Sequence, residues 1–309
     1  MPQAKSDLEW LKGHLNTLVD VGSRVRVIDP DIFNEFGSWT ALKLIGVKYW
    51  QSVYSTIIPE YLRELGRDSM AYLDVMAGSG LNRIREPDCY LAGSSILAAA
   101  VPRKPFDYII AIENNKTRAA TLARRLRTYR EPSTYRVVSE SADETIADTL
   151  AELAARRAHF MAFVDYQGMK GFSRESMDLL LHAPCDIWFT YFPNIKRSFV
   201  LSEYDDANLE VCRAFFGRDL VDGATTYEEL VGAWLDHLRR YREFVYPFTI
   251  QSGQGYYYLL VFLTRMTRGG SPYVRAAADL DRRISAIHGD FVQTVLRILS
   301  KGQTQLDMY

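Results

Sequence analysis

Apolar residues recur at helical spacing through the first fifth of the chain. Leucines repeat along the opening segment, and a second apolar stripe runs from Ala41 to Leu65, past Pro59. Apolar positions three and four residues apart place their side chains on one side of a helix. We therefore predict an N-terminal helical extension over residues 1–68, whose second helix is long and bends near Pro59.

The pattern then changes to short apolar runs that alternate with helical segments. The runs that predict strands are Ala71–Val75, Phe106–Ile112, Tyr135–Val138, Phe160–Asp165 and Ile187–Tyr191. The helical segments between the later runs are Lys116–Tyr129, Asp143–Arg157 and Arg174–Leu181. Alternation of helices with nearly continuous apolar strands predicts a parallel sheet that is covered on both faces.

The rhythm changes again after Pro193. Two helical segments, Leu201–Phe216 and Tyr227–Tyr241, precede two β-rich runs, Phe244–Gln251 and Tyr256–Thr264, which flank a glycine-containing loop. These runs predict a hairpin. A mainly parallel sheet that ends in an antiparallel hairpin is the arrangement of class I methyltransferases, so we predict an α/β, Rossmann-like fold of that class over residues 69–270. A C-terminal helix, about Ala276–Leu299, is expected to pack on the core within residues 271–309.

Composition and charge exclude several classes of protein. The 309 residues carry a net charge of −1, which is too small for a whole-protein attraction to nucleic acid. The three cysteines are scattered, which argues against a disulfide framework and predicts a cytoplasmic protein. Neither cysteines nor histidines have metal-ligand spacing, so we expect no metal. No run approaches the roughly 18 apolar residues of a membrane span, and we expect no membrane segment.

A small-residue loop follows the first predicted strand, where Asp74 leads into Ala77-Gly78-Ser79-Gly80. Glycine adopts backbone torsions that are closed to other residues and lets a ligand approach the main chain. Ligands of α/β folds bind at this edge of the sheet. The dinucleotide fingerprint is incomplete, because Arg83 occupies the place of its third glycine. The loop thus favours a cationic methyl donor, with Asp74 organising the loop, and a tight structural turn is the alternative.

Acidic or polar residues follow the next two strands. Glu113, followed by Asn114, is placed to accept hydrogen bonds from both ribose hydroxyls of a nucleoside. Its alternative role is to stabilise the start of a helix through the helix dipole. After the third strand, Ser141 or Asp143 could bind the adenine amino group, and Asp143 could equally cap the next helix. The sequence does not separate these two residues.

The fourth strand ends in Asp165, followed by Tyr166. A carboxylate at this tip could orient or deprotonate an acceptor nitrogen or oxygen, and an aromatic side chain beside it could stack on a base. Asn194, beyond the fifth strand, is expected to assist. The alternative is that Asp165 only caps the following turn.

Taken together, these motifs resemble the three-Cys-motif partner family of bacterial and archaeal methyltransferase-like proteins. The resemblance covers about residues 40–265. Its segments are Lys43-Leu44 with Tyr49, Asp74 with Ala77–Gly80, Gly93-Ser94, Val164-Asp165 with Gly168–Gly171, Phe215–Gly217 and Tyr258–Thr264.

The resemblance implies a Rossmann-type methyltransferase fold and a site for S-adenosylmethionine. It assigns Asp74, Gly78, Gly80 and Glu113 to the cofactor and Asp165 to the catalytic edge. At that edge the family shows Asp-Pro-Tyr-Gly, whereas this chain has Asp165-Tyr166-Gln167-Gly168. The departure motivates the alternative hypothesis of a non-catalytic partner protein that retains the fold.

The sequence thus predicts an S-adenosylmethionine-dependent methyltransferase whose acceptor is undetermined. The predicted cofactor-binding residues are Asp74, Ala77, Gly78, Ser79, Gly80, Glu113, Asn114, Ser141, Ala142 and Asp165, and the predicted catalytic residues are Asp165, Tyr166 and Asn194. If the acceptor is a nucleic acid, an arginine patch on one helix could bind its phosphates. The patch consists of Arg118, Arg124, Arg125, Arg127 and Arg130. A solvated helix face is the commoner explanation of such a run. The missing third glycine disfavours a nicotinamide-dependent oxidoreductase.

Overall fold

The computed structural model describes residues 2–166, 170–191, 199–200, 205–251, 257–265 and 272–306. In chain order the strands are β1 (Asn34–Phe36), β2 (Ser69–Val75), β3 (Leu81–Ile84), β4 (Cys89–Ala92), β5 (Tyr108–Ile112), β6 (Tyr135–Val138), β7 (Ala158–Val164), β8 (Cys185–Tyr191), β9 (Phe244–Gln251) and β10 (Tyr257–Thr264). The α-helices are α1 (Pro2–Arg26), α2 (Thr40–Tyr61), α3 (Ser94–Ala100), α4 (Lys116–Leu126), α5 (Ala142–Ala155), α6 (Arg174–His182), α7 (Asp206–Phe216), α8 (Arg218–Gly223), α9 (Tyr227–Arg239), α10 (Pro272–Ser285) and α11 (Gly289–Leu306).

Seven strands form the central sheet in the order β6-β5-β2-β7-β8-β10-β9. All neighbouring pairs are parallel except those of β10, which runs antiparallel to β8 and to β9. This is the strand order of the class I methyltransferase fold. The predicted fold class, a mainly parallel sheet that ends in an antiparallel hairpin, is confirmed.

Both faces of the sheet are covered, which explains the nearly continuous apolar strands. Successive residues of a strand point to opposite faces, so Tyr72 packs into one core cluster and Leu73 into the other. The first cluster includes apolar residues of α1, α2, α10 and α11, and the second includes those of α5 to α9. Every residue of β5 and of β8 is buried, as expected for central strands between two layers of helices.

The N-terminal segment is not purely helical. Its short strand β1 pairs in parallel with β3, and β3 pairs antiparallel with β4, which makes a second sheet of three strands. Strands of three or four residues are too short to show a period of two, so neither β1 nor the β3–β4 hairpin was expected from the pattern. Helix α2 buries most of its residues and continues past Pro59 to Tyr61. The domain boundary at residue 68 stays a prediction.

The expected single C-terminal helix is two helices. Helix α10 ends at Ser285, and α11 begins at Gly289. Ile287, in the connection, is buried, and the apolar faces of both helices join the core cluster. Because apolar residues continue at similar spacing on both sides of the break, the sequence pattern hides it. None of the described helices combines the length and the apolar character that crossing a membrane requires.

Candidate functional site

A cavity of about 520 Å³ opens at the carboxyl ends of the parallel strands. Its lining includes segments that follow β6, β5, β2 and β7. These segments stand on both sides of the point between β2 and β7 where the strand order reverses, and α/β sheets bind ligands at such points. Its volume falls within the range of pockets for small molecules. The lining residues are Asn34, Met76, Gly78, Ile112, Glu113, Asn114, Arg118, Glu140, Ser141, Ala142, Lys170, Gly171, Asp205, Ala207, Asn208 and Val211.

The loop after β2 has three residues in the left-handed region: Met76 at φ +68°, Gly78 at φ +65° and Gly80 at φ +77°. A left-handed conformation is costly for a residue with a side chain, so the loop holds Met76 in a strained state at the cavity wall. A Cβ at Gly80 would lie 2.7 Å from the Leu122 side chain and 2.8 Å from that of Ile96. The glycine at position 80 therefore allows the loop to pack closely against α3 and α4.

Glu113 follows β5 and lines the cavity, although its side chain is buried. One carboxylate oxygen accepts a hydrogen bond from the Gly78 amide at 2.8 Å, and the other accepts one from the Asn115 amide at 2.9 Å. Each oxygen of a carboxylate can accept a further hydrogen bond. The carboxylate thus fixes the glycine loop and the start of α4 and keeps acceptor capacity for a ligand. Asn114, beside it, also lines the cavity.

The two polar residues after β6 have separate surroundings. Ser141 lines the cavity and, although it precedes the first residue of α5, its side chain makes no capping hydrogen bond. The Asp143 carboxylate accepts hydrogen bonds from the Ser173 amide at 2.6 Å and from the Ser176 hydroxyl at 2.5 Å. Asp143 therefore connects α5 to α6, and Ser141 is the one of the two residues that lines the cavity. Ala142 lines the cavity beside it.

Asp74 lies in the core behind the loop. Its Oδ2 accepts hydrogen bonds from the hydroxyls of Ser94, at 2.6 Å, and Ser95, at 2.5 Å. Complete burial raises the pKa of the carboxyl to about 7. Within the described part of the chain, the cavity lining does not include Asp74, Ala77, Ser79 or Gly80. These four residues shape the loop from behind, with the Ser79 carbonyl bound by a buried arginine, Arg125.

Asp165, at the end of β7, takes part in a buried ion pair. The Lys43 ammonium, from α2, lies 2.8 Å from Oδ1 and 2.6 Å from Oδ2, and the Thr190 hydroxyl donates to Oδ1 at 2.9 Å. The Lys43 side chain is 2% exposed and that of Asp165 is 13% exposed. The described residues that line the cavity do not include Asp165. Asp74 and Asp165 are close enough for the charge of Asp165 to raise the Asp74 pKa, while Lys43 lowers it.

Of the two other residues of the predicted catalytic set, the structure describes Tyr166, which is not among the described residues that line the cavity. Tyr166 is buried, and its ring packs against Phe172 and Phe215, with centroid distances of 5.8 and 4.7 Å. Its hydroxyl donates to the Phe172 carbonyl at 3.4 Å. The ring therefore belongs to the core beneath the loop. Asn194 lies outside the described residues, as do Gln167 and Gly168.

The arginines of α4 and the turn after it mostly bind acceptors of the protein itself. Arg125 is fully buried, Arg124 pairs with Asp29, and Arg130 donates to the Phe106 carbonyl. Arg127 donates to the Tyr135 hydroxyl, and Arg118 lines the cavity. The helix does not present these five side chains on one open face.

Several cavity residues lay outside the sequence prediction. Asn34 comes from the short strand β1, far from the strand tips in sequence, and no local signal marked it. Lys170 and Gly171 follow the predicted fourth strand, and Asp205 and Asn208 stand at the start of α7. The alternation of strands predicted the edge of the sheet, but not which later loops return to it. In the described residues no group of three or more histidine, cysteine, aspartate or glutamate side chains could hold a metal ion.

Solved structures with a similar fold include methyltransferases. The O-methyltransferase TomG from Streptomyces achromogenes, in complex with S-adenosylmethionine, matches 70% of this chain and 79% of its own, at 15% identity and a TM-score of 0.38. Cofactor-bound Rv0187 from MTB matches 71% and 80%, at 10% identity and a TM-score of 0.39. The plantazolicin methyltransferase BpumL, in complex with a desmethylPZN analog and S-adenosylhomocysteine, matches 80% and 90%, at 10% identity and a TM-score of 0.35.

These TM-scores are low, so the fold assignment depends on the strand order of the sheet itself. No family model matches the sequence, and no curated protein matches it either.

Proposed function

We propose that the cavity binds S-adenosylmethionine and that the protein transfers its methyl group to an acceptor. One observation carries the proposal: the buried Glu113 carboxylate lines the cavity, and it is fixed to the glycine loop through the Gly78 amide. An acid at this strand tip, with unused acceptor capacity, suits the two hydroxyls of a ribose.

The remaining cavity residues suggest the direction in which the cofactor lies. Ser141 and Ala142, after β6, would contact the adenine, and Glu113, after β5, would hold the ribose. The amino-acid end would then reach the loop after β2, and the methyl group would face the tips of β7 and β8. Transfer would be a direct displacement, accelerated mainly by holding the acceptor and the sulfonium in line.

In this arrangement Asp165 would stand at the acceptor end, beyond the described lining of the cavity. Because its oxygens already accept hydrogen bonds from Lys43 and Thr190, the carboxylate suits an orienting role better than that of a free base. The acceptor stays undetermined, and the resemblance to the three-Cys-motif partner family supports the fold and cofactor rather than a substrate. The three cysteines are free and buried, which supports the proposal of a reducing, cytoplasmic location.

Calorimetric titration of the whole chain with S-adenosylhomocysteine tests cofactor binding. Replacing Glu113 by Gln removes the charge while keeping the shape, and we expect it to weaken binding by about 10- to 100-fold, as for loss of hydrogen bonds to a charged group. The matched control is Glu144→Gln, an exposed acid of the nearby α5 that does not line the cavity. Absence of saturable binding by the unmodified protein would contradict the proposal.

The alternative function is a cofactor-sensing partner protein without transfer activity. The specific observation in its favour is the Lys43–Asp165 ion pair, which occupies the carboxylate at the catalytic edge. Methyl transfer from a labelled donor into RNA, DNA and protein separates the two functions. Labelling that is lost in Asp165→Ala supports the enzyme, and binding without any labelling supports the partner protein.

A further inference from the structure

Asn34 is the one residue that the N-terminal segment contributes to the described cavity lining. Asn34 is 7% exposed, and its side-chain Oδ1 is buried without a hydrogen-bond partner. Its Nδ2 donates to the Asn82 Oδ1 at 3.3 Å. Buried amide oxygens are normally hydrogen-bonded, so an unpartnered one at a cavity wall indicates a missing donor.

The amide group of Asn34 lies directly over the glycine loop. A Cβ added at Gly78 would overlap the Asn34 Nδ2 and would lie 3.2 Å from its Oδ1. The glycine at position 78 thus makes room for the Asn34 side chain as well as for the backbone torsion. Asn34 and the loop form one continuous wall of the cavity.

The segment before Asn34 is fixed to the same loop by Arg125. This buried guanidinium donates to the Ser79 carbonyl at 2.8 Å and to the carbonyls of Ile28, at 2.8 Å, and Asp29, at 2.9 Å. The Asp29 carboxylate in turn accepts a hydrogen bond from the Thr121 hydroxyl at 2.8 Å. The position of Asn34 relative to the loop is therefore set by several hydrogen bonds and does not depend on the Asn82 contact alone.

The order of the strand tips indicates which part of the cofactor Asn34 would meet. Glu140, Ser141 and Ala142 follow β6, at one end of the cavity, and Glu113 follows β5. Gly78 follows β2, which is the next strand in the sheet. A cofactor with its adenine at β6 and its ribose at β5 brings its amino-acid end to β2, beneath Asn34.

We infer that Asn34 binds the amino-acid end of the cofactor, with its Oδ1 accepting a hydrogen bond from the α-ammonium group. The inference rests on the proposed function and extends it, because it makes the N-terminal segment part of the cofactor site. A charged donor suits an unpartnered amide oxygen, since hydrogen bonds with one charged partner are stronger than neutral ones.

Two ligands that differ only in the amino-acid end test the inference. S-adenosylhomocysteine carries this end, and 5′-methylthioadenosine lacks it while keeping the thioether nucleoside. We expect Asn34→Ala to weaken binding of S-adenosylhomocysteine by about 10- to 100-fold and to leave binding of 5′-methylthioadenosine within about twofold. The matched control is Asn82→Ala, which removes the neighbour of Asn34 but no cavity residue, and which should change neither affinity by more than about threefold. Glu113→Gln should weaken the binding of both ligands.

Each outcome decides the matter. Equal loss of both ligands in Asn34→Ala would mean that Asn34 only supports the loop, and unchanged binding of both would mean that it makes no contact; either result overturns the inference and leaves the proposed function intact. Failure of the unmodified protein to bind either ligand rejects the proposed function and the inference with it. If Asn34→Ala does not fold, Asn34→Asp decides, because it keeps the acceptor oxygen. Retained binding of S-adenosylhomocysteine supports the inference, and its selective loss overturns it.

Discussion

Glu113 and Asp165 both follow a buried parallel strand at the carboxyl edge of the sheet, yet their carboxylates have different surroundings. Glu113 faces the cavity, is held by two backbone amides and retains acceptor capacity. Asp165 lies outside the cavity lining and is held by an ammonium and a hydroxyl. The same sequence pattern, an acid after an apolar strand, thus gives a cavity-lining group in one half of the edge and a paired group in the other. The difference arises from α2, which brings Lys43 to Asp165 from a distant part of the chain.

The largest expected effect comes from breaking the ion pair on the Asp165 side. Lys43→Met leaves the Asp165 carboxylate with its charge uncompensated, and we expect the free energy of unfolding to fall by about 3–5 kcal/mol. Urea denaturation of the variant and the original protein measures this difference in unfolding free energy. The matched control is Lys104→Met, which removes an exposed pair with Glu60 and should leave the denaturation midpoint unchanged. A Lys43→Met protein as stable as the original would show that the Asp165 half does not depend on this pair.

The next effect concerns Asp74, which lies between the two halves and is fully buried. Its folded-state pKa of about 7 is above its ordinary value of 3.8, so the folded state binds a proton more tightly than the unfolded chain. The stability that the protonated carboxyl provides is fully present below pH 3.8 and is lost as the pH rises through 7. We expect the loss between pH 5 and pH 8 to reach roughly 3 kcal/mol.

Asp74→Asn tests this, because an amide cannot ionise and the serine hydroxyls can still donate to its oxygen. The variant should gain stability relative to the original protein as the pH rises from 5 to 8, in urea denaturations at each pH. Parallel pH curves for the two proteins would contradict the raised pKa.

A third prediction concerns the close packing behind the Glu113 half. Gly80→Ala places a Cβ against Ile96 and Leu122 at φ +77°, and we expect it to cost about 2–3 kcal/mol of unfolding free energy. The control is Gly232→Ala in α9, where an added Cβ meets no atom within 4 Å. Because alanine is a better helix former than glycine, this variant should raise the free energy of unfolding by up to about 1 kcal/mol. Thermal unfolding compares the two. Similar melting temperatures for both variants would mean that the loop does not need the glycine for packing.

The sequence predicted the sheet better than it predicted the site. The strands β2, β5, β6, β7 and β8 were found because short apolar runs that alternate with helical segments are a strong local signal. The residues at the strand tips were also found, since a parallel strand order places all of them at one edge. The positions of Asn34 and Lys43 at this edge could not be predicted, because they depend on how α2 and β1 pack, and packing between distant segments leaves no periodic trace. For the same reason the inward position of Tyr166 was missed.

The smallest predicted effect separates the two residues that the sequence could not distinguish, Ser141 and Asp143. Ser141→Ala removes the hydroxyl of a cavity-lining residue, and this hydroxyl caps no helix. We expect it to weaken binding of S-adenosylhomocysteine by about a few fold, as for the loss of one neutral hydrogen bond. The free energy of unfolding should not change. Asp143→Ala removes the acceptor of the Ser173 and Ser176 hydrogen bonds, so it should lower the unfolding free energy by about 1 kcal/mol and leave binding unchanged.

Titration and urea denaturation of both variants supply the two readouts. The opposite result is that Asp143→Ala weakens ligand binding and Ser141→Ala leaves it unchanged. That result would assign the adenine contact to Asp143 and not to Ser141. The part of the cavity that Ser141, Ala142 and Glu113 line would then hold a different part of the ligand. Ser141 and Asp143 are only two residues apart on one helix turn. The two variants therefore test whether the ligand extends along the strand tips from β6 to β5, as the positions of Ser141 and Glu113 predict.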